Sequence, residues 1–265
     1  MKKKLICDIN FWYRVGKKGL ADINYLIENY ELHITNLSIV ELISSNNIES
    51  DFDIVKDTFI AISKYAKIMS QNDVQQLLIT QGIDFTENKI LQQQYNIKKV
   101  VELFLTATST SELGFDYSKM IELRKEETKK WAEKVNRMVQ SSRDNNISDD
   151  DLKKFSIQIL EHHINTYIEK NDIKLKSQDL DFSSFELFNE SFALYFKDLL
   201  NKDNKKAKPN DYVDFMNLVY CTSDYNYLTL ERLKGNRIAK MINDSSVGYK
   251  YVISEQESIK EILNQ

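Results

Sequence analysis

Five carboxylates carry the chemical signal in this chain: Asp8, Glu41, Asp211, Asp214 and Glu231. Asp8 interrupts the apolar run LICDINFW and Glu41 sits inside SIVELIS, where an acid without a partner is costly. Asp211 and Asp214 stand three apart at the start of an apolar segment, so a helix there puts both on one face. Glu231 follows the β-rich run YNYLTL. Carboxylates gathered at one place repel, which raises one or more of their pKa values. A hard divalent cation relieves that repulsion, and oxygen-only ligands select Mg²⁺ or Mn²⁺ over zinc. One or two such ions would polarise a phosphodiester, activate an attacking water and stabilise the leaving oxygen. Two of the acids have a plainer use as well. Asp211 after Asn210 suits a helix N-cap, and Glu231 opens a helix whose dipole favours negative charge.

Such a cluster needs elements that bring distant residues together. Residues 3–8 (KKLICD) read as a short buried strand delivering Asp8 at its carboxyl end. Leu20, Ile23, Leu26 and Ile27 recur at helical spacing, and ELHIT (31–35) reads as a second strand. A helix over LSIVELISS, capped by Asn36 or Ser38, then carries Glu41. From about 50 to 203 the periodicity is helical, with no strand candidate of comparable quality. SSRDNNISDDD (141–151) is expected to be a polar hinge capped by Ser148 or Asp149. The α/β rhythm returns with a helix over DYVDFMNLVYC, a strand YNYLTL, a helix ERLKGNRIAKMI, a strand GYKYVIS and a closing helix. The expectation is an α/β parallel sheet flanked by helices, built from residues 1–48 and 205–265, with residues 49–204 as a large all-helical insertion. In open parallel sheets, ligands bind outside the carboxyl ends of the strands, the end these acids occupy.

Composition narrows the class. One proline and six glycines in 265 residues leave few breakers, so helices should dominate. The net charge of -4 makes a general polyanion binder unfavourable, and nucleic-acid contact would need a local basic patch. Two cysteines in apolar stretches, Cys7 and Cys221, are expected to be free and buried rather than a disulfide framework. No segment reaches the ~20 apolar residues that span a bilayer. The start, MKKKLICDINFW, carries an acid in its apolar run and no small-residue cleavage pattern, so a cytoplasmic protein without a signal peptide is expected.

In order and spacing, four blocks resemble the PIN-like domain family, a metal-dependent ribonuclease fold. ICDINFWY matches a strand ending in D-x-N before apolar or aromatic residues. TNLSIVELISS matches a helix in which Glu precedes a hydrophobic residue. NDYVDFMNLVYC matches an acid at the start of an apolar helix, where Asp214 fits better than Asp211. YNYLTLE matches a strand ending in T-x-D, with Thr229 keeping the hydroxyl and Glu231 in place of the usual Asp. The resemblance covers residues 1–46 and 208–265. It implies an endoribonuclease in which Asp8, Glu41, Asp214 and Glu231 are catalytic, with Asp211 as a further metal contact. One or two Mg²⁺ or Mn²⁺ ions would be bound, the fourth ligand being the least secure. Asn10 would orient Asp8, and Asn217 and Thr229 would act from behind the ligands. A DNA-directed nuclease of the same fold, or a non-catalytic protein-interaction module, are the competing implications.

Other features point away from rival chemistries. The adjacent His162 and His163 cannot face the same way on a helix, and with His33 they form no HExxH, so structural or surface roles are expected. No P-loop, G-x-G-x-x-G or G-x-S-x-G is present. Arg14, Lys17, Lys18, Lys205, Lys206 and Lys208 flank the acids in sequence and are candidates for phosphate contacts with RNA. A protein partner or inhibitor would engage the helical segment; no membrane is expected.

Overall fold

The computed structural model describes residues 2–83, 87–143, 145, 147–170, 180–202, 204–222, 224–230, 237–253 and 257–264. Five strands form one parallel sheet: β1 (Lys3–Cys7), β2 (Tyr30–Thr35), β3 (Lys67–Met69), β4 (Tyr225–Thr229) and β5 (Lys250–Val252), in the order β3-β2-β1-β4-β5. The first strand is therefore central. Its register aligns Leu5 with Leu32 on one side and Cys7 with Leu228 on the other, so the two ends of the chain meet at its edges.

Parallel strands need crossovers, and these cover both faces. On one face lie α1 (Ile9–Lys18), α2 (Ile23–Asn29), α5 (Phe52–Tyr65), α7 (Glu87–Thr106) and α13 (Ile259–Leu263), around Leu5, Cys7, Leu32, Ile34 and Leu228. On the other lie α6 (Asp73–Thr80), α8 (Tyr117–Ser142), α9 (Asp149–Lys170), α10 (Glu186–Leu200), α11 (Asp211–Met216) and α12 (Arg237–Asp244), around Ile6 and Tyr227. Two further helices, α3 (Asn36–Ile43) and α4 (Asn47–Ser50), follow β2. Alternate residues of β1 thus enter opposite cores, as the two-residue period of a strand requires.

The expected strands over 3–8, 31–35 and 225–230 are present, and a short strand forms within GYKYVIS. The span 49–204 departs from expectation. It supplies β3, which pairs His33 to Lys67 and Thr35 to Met69, so it is not all helical. Three residues are too few to show a period, and the helical pattern before them masks the change at Ala66, whose backbone is extended. Its helices also reach both sheet faces. Phe104 of α7 stacks on Phe59 of α5 with centroids 4.3 Å apart, in the core that holds Leu5. Trp131 of α8 packs on Tyr212 of α11 at 5.8 Å, in the opposite core.

Helix α1 lies against α5 at a glycine. A Cβ on Gly16 would fall 2.7 Å from the Thr58 amide nitrogen and 2.8 Å from the Asp57 carbonyl. Cys7 and Cys221 are both buried and free, one in each core. No helix among the described residues is long and apolar enough to cross a membrane.

Candidate functional site

The carboxyl edge of the sheet is where the chain ends converge. Asp8 follows β1 directly and is 4 % exposed. Its local role is the N-cap of α1, with Oδ1 accepting from the Ile9 amide at 2.7 Å. Oδ2 accepts from Asn10 Nδ2 at 3.2 Å and from Thr229 Oγ1 at 2.9 Å. The Asp8 amide donates to the Leu228 carbonyl at 2.9 Å, which carries the β1–β4 ladder past the strand end. Donors on both oxygens compensate the burial of this acid. Its charge is felt next door: burial first, and then Asp8, push the Cys7 thiol well above its ordinary pKa.

On the other side of β1, Thr35 ends β2 and caps α3, accepting from the Ser38 amide at 3.0 Å. The cap is thus one residue earlier than Asn36 and three earlier than Ser38, while Ser38 is its partner. Thr35 Oγ1 and Ser38 Oγ lie 2.6 Å and 3.2 Å from Asn217 Oδ1, and all three residues are buried. Asn217 opens the 3-10 turn Asn217–Tyr220 that prolongs α11. A polar clasp therefore joins the helix bearing Glu41 to the end of the helix bearing Asp214. Both acids are half-buried.

Asp211, three residues before Asp214, is drawn into a different cluster. Its Oδ2 accepts from Tyr195 Oη at 2.5 Å, from the Lys208 amide at 2.9 Å and from Arg237 Nη2 at 2.9 Å. The Arg237 guanidinium lies over the Tyr195 ring, 4.5 Å from its centroid. This clasp ties together α10, α11 and α12. Burial, followed by the charge of Asp211, pushes the Tyr195 phenol far up, with a smaller contribution from Asp214. Among the described residues, no three His, Cys, Asp or Glu side chains stand together as a group able to hold a metal ion. Glu231 lies outside the described residues.

The basic candidates differ in exposure. Lys17, Lys206 and Lys208 are exposed, and Arg14 is half-buried. Lys205 pairs with Asp198 at 2.8 Å, and the side chain of Lys18 is not among those described.

One cluster was not foreseen as a unit. His163 of α9 turns inward and its Nε2 lies 2.9 Å from Asp73 Oδ2 on α6, while neighbouring His162 is exposed. Tyr212 Oη donates to the same Asp73 oxygen at 3.1 Å. The opposed directions of the two histidines were readable from helical period, but Asp73 lies 90 residues from His163 and no local pattern links them. Searches against protein-family models, curated proteins and solved structures gave no match to this chain.

Proposed function

We propose that this chain is a PIN-like, metal-dependent nuclease, acting on RNA as an endoribonuclease. The reading draws its main support from Asp8: a buried acid at the carboxyl end of the central parallel strand, held by Asn10 from its own motif and by Thr229 from the other end of the chain. Ligand sites of open α/β sheets lie at this edge.

In this reading Asp8, Glu41 and Asp214, with Glu231, would hold Mg²⁺ or Mn²⁺, and the bound ion would supply an activated water and charge neutralisation at the phosphate. The described carboxylates alone do not make up the group of three that such a site needs. The chain's own part is positional. Asn10 and Thr229 orient the Asp8 carboxylate, and Asn217 couples α3 to α11. Asp211 is committed to Tyr195 and Arg237, so it supports the placement of Asp214 rather than adding a ligand. Arg14, Lys17, Lys18, Lys206 and Lys208 would meet flanking phosphates.

A second reading is a non-catalytic module that binds another protein, and the engagement of both Asp8 oxygens by protein donors favours it. The two separate in one assay. The nuclease reading predicts Mn²⁺- or Mg²⁺-dependent cleavage of single-stranded or structured RNA, lost in Asp8→Asn and Glu41→Gln. Cleavage of DNA alone would move the substrate within the same class. No cleavage of either polymer with either ion would leave the binding module.

A further inference from the structure

Away from the sheet edge, α6, α8, α9 and α11 converge on one buried charge. Asp73 and His163 form an ion pair whose side chains are 11 % and 20 % exposed. Tyr212, 2 % exposed, completes the arrangement by donating to Asp73. The Arg124 guanidinium of α8 lies over the Tyr212 ring at 5.0 Å and bonds Glu127 through Nη1 at 3.2 Å. Its Nε and Nη2 are buried and have no hydrogen-bond partner among the described residues. Tyr212 is two residues from Asp214 on α11. Whatever holds Tyr212 therefore holds the start of that helix.

We propose that the Asp73–His163 pair is a pH-sensitive latch, which fixes α11 to the helical wall formed by α6, α8 and α9 while His163 is protonated. The geometry makes the latch conditional. A buried ion pair is strongly stabilising only relative to the state in which one partner has lost its charge. Among the described residues, the ionisable groups that bear on the pair come from the elements packed against it. From α8 come Arg124 and Glu127, from α11 Tyr212, and beyond it Tyr220. His162, on the outer side of α9, faces Lys134, Arg137 and Glu169 instead.

Burial by itself would lower the His163 pKa, but the Asp73 carboxylate beside it reverses the sign and holds it above the ordinary 6.5. Burial would likewise raise Asp73, and His163 with Arg124 and Tyr212 holds it below its ordinary 3.8. The stability from His163 is then fully present below 6.5 and fades as pH rises through its raised folded pKa. That from Asp73 is present above 3.8 and fades as pH falls through its lowered folded pKa. The latch is closed between these limits and releases on the alkaline side by loss of the His163 proton.

The test is a titration of the full-length chain. Its three histidine rings are followed by NMR, with His163→Gln assigning the resonance, alongside hydrogen exchange of the α11 amides corrected for intrinsic rates. The expected result is a His163 pKa above that of a free imidazole, falling below it in Asp73→Asn. Protection of α11 should drop across the His163 titration in wild type and stay flat in His163→Gln. If His163→Gln does not fold, Asp73→Asn and the wild-type titration carry the test. A His163 pKa at or below the free value, or α11 protection that ignores its titration, would overturn the latch.

Discussion

Thr229 Oγ1 donates to Asp8 Oδ2 across 2.9 Å, joining residues 221 positions apart in sequence. The bond lies where β4 runs beside β1, with Cys7 aligned to Leu228 one step earlier. It is a side-chain bond between the two ends of the chain. Thr229→Val keeps the shape and removes the donor, leaving a buried carboxylate short of one bond. The expected loss is about 2 kcal/mol in chemical denaturation, with Thr229→Ser close to wild type. A loss within about 0.5 kcal/mol, the range of ordinary surface substitutions, would show that the bond contributes nothing.

Asp211 belongs to the Tyr195–Arg237 clasp, so its removal should be felt without any metal present. Asp211→Ala leaves the Arg237 guanidinium, 19 % exposed, without its carboxylate. We expect a loss of about 3 kcal/mol or more, against about 1 kcal/mol for Tyr195→Phe. Equal and small losses for both would remove the clasp from the account and return Asp211 to the list of free ligands.

Gly16 sets the distance between α1 and α5. Alanine favours a helix by about 1 kcal/mol over glycine, yet here its Cβ would meet backbone atoms that cannot rotate away. The clash should win. Gly16→Ala is expected to be destabilised by about 1–3 kcal/mol; a variant more stable than wild type would show that α1 and α5 pack less closely than described.

Phe104 tests whether residues 49–204 are a separate unit. It is fully buried between Phe59 and the core that contains β1. Phe104→Ala should cost about 3–5 kcal/mol and leave a single calorimetric transition, because the lost contacts belong to the sheet's own core. Two resolved transitions, only one of them shifted, would mean that the span folds independently.

These tests follow the boundary between what the residues announce and what only the fold assembles. Asp8 is legible because an acid at the end of a short apolar strand demands a donor, whereas Thr229 stands out only through the resemblance of YNYLTLE to the T-x-D block. Helix α1 was hidden inside the motif around Asp8, although Ile9, Trp12 and Val15 keep helical spacing. The strand at Lys67–Met69 is too short to interrupt the helical reading, and only its pairing with β2 identifies it. The fate of Asp211 could not be read locally. Its cap-like position after Asn210 was visible, but Tyr195 and Arg237 reach it from 16 and 26 residues away on separate helices. The Asp73–His163 pair was beyond reach for the same reason, since neither residue carries a pattern that names the other.

The nuclease reading stands on Asp8, and one measurement addresses it most directly. Purified wild type and Asp8→Asn are incubated with end-labelled RNA and Mn²⁺, in parallel with chelator, after circular dichroism has shown that both are folded. The account predicts internal cleavage by wild type only, abolished by chelation and absent in Asp8→Asn. Cleavage that persists undiminished in folded Asp8→Asn, or no cleavage by wild type, would contradict it.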